Sequence, residues 1–158
     1  MSDSDGRRIK RSLLIKPSSI RFLSENEINN LRNIDIIKDY IDIRQKEIVN
    51  YNSSNKTNKD LMINGRNMTN LGIFRRYAET YLEKHPLINK DMMIMCRQLD
   101  PTSQGIPVEV YVFSKDKDWK KYEHLMSDIF DHLLAIIPEF GLRVFQDPSG
   151  NDFQKIKA

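Results

Sequence analysis

The chain has little of what marks the easily read functional classes. Its 158 residues include one cysteine, Cys96, and three histidines, His85, His124 and His132. A single thiol closes no internal disulfide, which points to a reducing compartment or a cytoplasmic face. The longest unbroken apolar runs, Met92 to Cys96 and Leu133 to Ile137, are five residues each. A bilayer-spanning helix needs about 20, so no membrane span is expected. Residues 1–23 lack the apolar centre of a signal peptide. No G-x-G-x-x-G, P-loop, G-x-S-x-G or C-x-x-C motif occurs. Charge of one sign is also scarce. Lys and Arg number 25 against 22 acids, a net +3 that is too mild to imply nucleic acid.

What is present is a core's worth of apolar residues in a polar chain. Apolar residues make up 39% and charged residues 30%, with a mean hydropathy of −0.57. This predicts one soluble α+β domain. From Arg8 to Ile15 the pattern alternates, with Ile9, Leu13 and Ile15 on one parity, so a strand is expected that Pro17 ends. Ser24 followed by Glu27 is a capping-box signature. The apolar steps Ile28, Leu31, Ile34, Ile37, Ile41 and Ile48 then predict one long helix over about 25–50. Residues 51–60 are polar and read as a flexible connector. Thr69 or Asn70 caps a second helix whose stripe is Leu71, Phe74, Ala78, Tyr81 and Leu82. Met92 to Leu99 reads as a well-buried strand, and Ile106 to Phe113 as its hairpin partner. Tyr122, Leu125, Met126, Ile129, Phe130, Leu133, Ile136 and Ile137 mark a helix over about 118–137. A short strand at 142–145 follows, before the turn at Pro148 to Gly150.

With residues 22–68 taken as a helical insert, the order is βαββαβ, a ferredoxin-like α/β sandwich with a split βαβ. The domain spans 7–150, with mobile tails at 1–6 and 151–158. The insert is expected to cover an edge or the open face of the sheet, or to contact another subunit.

Chemistry-bearing residues are few. His124 and His132 lie two helical turns apart, too far for shared metal ligation, with Asp128 four residues from each as an ion-pair partner. Cys96 reads as a buried, inert thiol. Met92, Met93 and Met95 read as core packing rather than a soft-metal site. No catalytic, cofactor or metal site is expected. The remaining candidate is the basic stretch Arg7, Arg8, Lys10 and Arg11. Arg7 and Arg11 point one way from the strand and Arg8 and Lys10 the other. They suit either a solvated edge that resists aggregation or a polar contact with a subunit or polyanion.

Several segments together resemble a known family. These are GRRIKRSLLI (Gly6–Ile15), SSIRFL (Ser18–Leu23), TNLGIFRRY (Thr69–Tyr77), RQLDPTSQGIPVEVYVFS (Arg97–Ser114) and SDIFDHLLAIIPEFGLRVFQDPSG (Ser127–Gly150). They resemble the C-terminal cytoplasmic region of the YbdG-like, miniconductance branch of MscS-type mechanosensitive channels. The resemblance implies a homoheptamer in a bacterial inner membrane that releases ions and small solutes on hypo-osmotic shock. It implies that this domain builds a cytoplasmic vestibule, without catalysis or cofactor and without nucleic acid. It places the family's transmembrane helices and pore before Gly6, so the chain is expected to be an excised domain or truncated frame. Membrane attachment would then come only through those missing helices. Without them, monomers or a weak oligomer are expected, with the insert helix as a contact. The alternative on fold alone is a soluble ferredoxin-like regulatory or small-ligand-binding module.

Overall fold

Alternation along Arg8–Ile15 produces strand β1, whose Ile9, Leu13 and Ile15 are buried while Arg8, Lys10 and Ser12 stay exposed. β1 pairs antiparallel with β3, Ile106–Phe113, over its full length. β2, Met95–Gln98, pairs with the other side of β3, giving the order β1-β3-β2. The computed structural model describes residues 6–146. The chain is α+β, with four α-helices and this three-stranded antiparallel sheet among the described residues. The expected tails and the turn at 148–150 lie outside them, except Gly6. Gly6 is buried at φ +91°, where an added Cβ would collide with the Ser114 carbonyl.

The capping box forms as expected. Glu27 N–H donates to Ser24 Oγ at 3.2 Å, and Ser24 N–H donates to Glu27 Oε1 at 3.1 Å. The long helix, however, is two helices: α1, Glu25–Leu31, and α2, Lys38–Ser54, with a 3-10 turn at Asp35–Ile37 between them. Three isoleucines within four residues (Ile34, Ile36, Ile37) disfavour helix through χ1 crowding. The break also turns Leu31, Ile37 and Ile41 together into the core.

The expected flexible connector is also different. α2 continues through Ser54 and ends in a Schellman motif, with Thr57 N–H bonded to Asn52 O at 2.9 Å and Lys56 N–H to Ser53 O at 3.2 Å. Lys56 occupies the left-handed position at φ +50°, the one such non-glycine residue among those described. Replacing Lys56 with glycine is therefore expected to stabilise the protein by about 0.5–1 kcal/mol, since the Cβ strain exceeds glycine's entropy cost. A thermal melt should show a rise of roughly 2–4 °C per kcal/mol.

The insert leaves and returns at one point. Phe22 and Thr69 pair as an antiparallel bridge, and Leu23 N–H donates to Met68 O at 2.9 Å. Between those ends the insert packs beside α3, Asn70–Lys84, on the helical side. Arg76 of α3 sets its guanidinium 5.0 Å from the Tyr40 ring centroid. The insert thus thickens the helical layer rather than covering the other sheet face.

Helix α4, Trp119–Ile136, is capped by Asp118, whose carboxylate accepts from Lys121 N–H at 3.1 Å. Leu125, Ile129, Phe130 and Leu133 of α4 are buried with Leu71, Phe74, Ala78 and Leu82 of α3 and with Ile9, Leu13, Val108, Val110 and Val112 of the sheet. Pro138 then ends the helix in a 3-10 turn at Ile137–Phe140.

Two strands are shorter than expected. β2 begins at Met95, not Met92, and is an edge strand. Met93 is 59% exposed and Met92 and Met95 are half-buried, so the methionines are not core packing. The segment 142–145 contributes a single antiparallel bridge, Ile15 to Val144, flanked by Lys16 N–H to Arg143 O at 2.7 Å and Phe145 N–H to Leu14 O at 2.8 Å.

Candidate functional site

Strand β1 divides its basic residues between two environments. Arg7 and Arg11 lie on the helical side, where both guanidiniums rest on aromatic rings. Arg7 is 5.5 Å from the Tyr122 centroid and Arg11 5.2 Å from that of Phe130. Arg11, which interrupts the apolar parity of β1, thus covers the rim of the core with its stem and keeps its charge outward. Tyr122 also ties α4 to β1, its hydroxyl donating to Arg8 O at 2.8 Å.

Arg8 and Lys10 point to the opposite face. Directly paired residues of antiparallel strands share a face. The register therefore places Lys10, Tyr111 and Met95 in one row, and Ser12, Glu109 and Arg97 in the next. Arg8 stacks 6.0 Å from the Tyr111 centroid, and Tyr111 meets Phe113 edge-on at 5.6 Å. Arg97 Nε donates to Glu109 Oε1 at 3.1 Å, which lets a carboxylate sit almost fully buried in mid-strand. Arg8, Lys10 and Arg97 are exposed. Set against Glu109, they leave a face with two surplus positive charges around a half-buried aromatic ring.

The four basic residues read from the sequence are thus not one site. Two belong to the rim of the core, and two join Tyr111, Glu109 and Arg97. The outward parity of Glu109 and Tyr111 was legible along β3. Arg97 entered only through the hairpin register, which no residue spacing states.

A second cluster lies between α3 and α4. Tyr77 Oη and His132 Nε2 are 2.7 Å apart, and His132 stacks on Tyr81 with centroids 4.1 Å apart and planes 10° from parallel. His85 meets Tyr81 edge-on at 5.7 Å. The expected ion pair of Asp128 with His124 or His132 does not form among the described residues; His132 takes the Tyr77 hydroxyl instead. Burial pushes His132 below the usual histidine range. It does the same to His85, reinforced by the Lys90 ammonium and by His132, and opposed by Asp128. Burial also raises both tyrosines. A histidine depressed in the native state binds its proton more readily when unfolded, so stability is full above its unfolded pKa and falls as pH drops below it. Melting temperature is therefore expected to decline from pH 7 to pH 5, and His132→Gln should flatten part of that decline. An unchanged slope in the variant would assign the acid sensitivity elsewhere.

Cys96 is buried, and burial chiefly, with the Glu79 charge beside it, pushes its thiol up to about 12. Its backbone N–H donates to Glu79 Oε1 at 3.0 Å, so a helix carboxylate occupies the free edge of β2. The native protein is expected to resist iodoacetamide at neutral pH and to react within minutes once unfolded, as mass spectrometry would show. Among the described residues no three His, Cys, Asp or Glu side chains converge as metal ligands, and no helix is long and apolar enough to cross a membrane.

No protein-family model matches the sequence.

Proposed function

We propose that the chain is the cytoplasmic vestibule domain of a tension-gated, MscS-type channel subunit. One observation carries this reading. The segments that resemble that family supply most of the core, namely Ile9, Leu13 and Ile15, Leu71 and Phe74, Val108 to Val112, and Ile129 to Leu142. The insert, residues 22–68, whose lengthening of the first βα connection also belongs to the pattern of that branch, is an excursion rooted at the Phe22–Thr69 bridge. Segments that resemble a family and also pack on one another support a shared fold rather than scattered similarity.

The proposed architecture is a ferredoxin-like split βαβ sandwich. The bridge of Val144 to the outer edge of β1 supports it, since a fourth strand there would extend the order to the segment at 144, then β1, β3 and β2. In this role the domain performs no catalysis and binds no cofactor. It contributes walls to a homoheptameric chamber on the cytoplasmic face of a bacterial inner membrane, and the exposed Arg8, Lys10 and Tyr111 face meets a neighbouring identical subunit.

The test is expression of the full reading frame that contains this chain in cells deleted for mechanosensitive channels. Survival of osmotic downshock and tension-activated currents in membrane patches are expected. A frame without upstream spanning helices, or one that leaves survival and currents at the level of the deleted strain, would refute the proposal.

A further inference from the structure

The loop between α2 and α3 is rigidly built yet exposes its apolar side chains. Asn52 spans it from the helix, its Oδ1 accepting from Arg66 N–H at 2.9 Å and its Nδ2 donating to Arg66 O at 3.1 Å. Lys59 turns its ammonium inward, donating to Met62 O at 3.0 Å and also to Asn64 O and Asn67 Oδ1. Asn64 Nδ2 donates to Asn58 O at 2.9 Å, and Gly65 supplies a left-handed φ of +72° where a Cβ would strike Asn52. Polar bonds therefore shape the tip of this loop, while Met68 anchors its far end in the core. Its three consecutive apolar residues are not used for that purpose: Leu61 is 60%, Met62 45% and Ile63 72% exposed.

Single exposed apolar side chains are ordinary on a protein surface. Three in succession at the tip of a hydrogen-bonded loop are not, because solvating them lowers stability with no local return. The surroundings indicate what receives them. Met62 shares an open groove of about 510 Å³ with Val49, itself 55% exposed, and with Lys56 and Arg66. Lys56 is exposed and has no ion-pair partner among the described residues, while Arg66 lies 5.4 Å over the Tyr51 ring. Lys56, Lys59 and Arg66 outnumber the two acids at hand, Asp60 of the loop and Glu25 of the groove lining.

We propose that this tip is a membrane-surface contact, with Leu61, Met62 and Ile63 entering the headgroup–acyl boundary and Lys56 and Arg66 meeting anionic lipid phosphates. The pairing of a small apolar tip with surrounding basic groups suits an anionic lipid surface, which needs no matching pocket, whereas a stable protein interface of about 1,200–2,000 Å² would have to extend well past the tip. Apolar insertion joined to a few basic residues gives weak, reversible binding that depends on anionic lipid. This surface is independent of the channel assignment and requires no spanning helix.

The experiment is flotation of the 158-residue chain with vesicles of phosphatidylglycerol and phosphatidylcholine, against phosphatidylcholine alone, at low ionic strength. Binding to the anionic vesicles at least about tenfold tighter is expected, and weaker in high salt. Leu61→Ser combined with Ile63→Ser should weaken it by about tenfold or more with an unchanged melting temperature. Lys56→Gly should weaken it about fivefold while raising the melting temperature. No binding to anionic vesicles would overturn the proposal. So would full binding by the Leu61→Ser, Ile63→Ser variant with loss in Arg8→Ser, Lys10→Ser, which would place the lipid contact on the sheet. A dimer in light scattering that this tip variant dissolves, without vesicle binding, would make the tip a protein contact instead.

Discussion

Replacing Phe74 with alanine is expected to lower the unfolding free energy by about 3–5 kcal/mol. Phe74 is fully buried in the N-terminal half of α3. Its ring meets Phe140 edge-on, with centroids 5.5 Å apart and planes at 73°, and Phe140 in turn lies 5.6 Å from Tyr77. The ring therefore joins α3 to the turn that ends α4. Alanine would remove the ring's transfer free energy and leave a cavity between elements that the sheet holds apart, so little collapse can refill it. Urea unfolding should show a lower midpoint with an unchanged slope. A loss under about 1 kcal/mol would mean that α3 does not seat on the turn at 137–140 as described.

Asn70→Ala is expected to cost about 2–4 kcal/mol, through unmet hydrogen bonds rather than a cavity. Asn70 is fully buried, and each of its side-chain atoms is engaged. Oδ1 accepts from Arg21 N–H at 3.0 Å and from its neighbour Leu71 N–H at 2.9 Å, while Nδ2 donates to Ser19 O at 2.9 Å. Asn70 N–H also donates to Arg21 O at 3.1 Å. The amide thus acts as a piece of backbone, fastening the start of α3 to the chain that leaves β1. Alanine would remove the side-chain partner of two N–H groups, those of Arg21 and Leu71, and of the Ser19 carbonyl at the root of the insert. Asn70→Asp keeps the acceptor but loses the donor to Ser19, and should fall between wild type and alanine. Amide exchange separates this variant from Phe74→Ala. The amides of residues 21–23 should lose protection first in Asn70→Ala, whereas Phe74→Ala should raise exchange throughout the core. Unchanged protection at Arg21 would rule out the proposed role of Asn70.

Asn70 also shows how far local reasoning reaches. The residue types Thr69 and Asn70 announce a helix start, and either satisfies the capping rule. The structure divides the work between them. Thr69 Oγ1 caps by accepting from Gly72 N–H at 3.0 Å, while Asn70 turns to partners about fifty residues earlier in the chain. The insert illustrates the same limit. Its apolar spacing implied one helix, and the stripe residues do reach the core, but the bend at Arg32–Ile37, which the crowded isoleucines favour locally, is held by packing of the 3-10 turn on α3. His132 was legible as a residue facing something, and α4 periodicity alone offered Asp128. Tyr77, which it meets, belongs to a helix more than fifty residues away. In the sequence Leu61, Met62 and Ile63 are only three apolar residues in a row. Exposure of those residues is a property of the folded loop.

By itself the sequence determined the alternation of β1 and β3, the capping box at Ser24, the stripes of α3 and α4 and the stop at Pro138. Each is decided by contacts within a few residues, through strand or helix periodicity and the chemistry of free backbone groups. The tertiary structure decided which outward residues share a face, where the insert packs and which apolar side chains remain in water. Those follow from strand register and from the surface that each element finds to cover, and both are set by residues distant in the chain. That is why Arg8 and Lys10, already parted from Arg7 and Arg11 by strand alternation, join Tyr111 and Arg97, and why Lys59 gives its charge to its own loop.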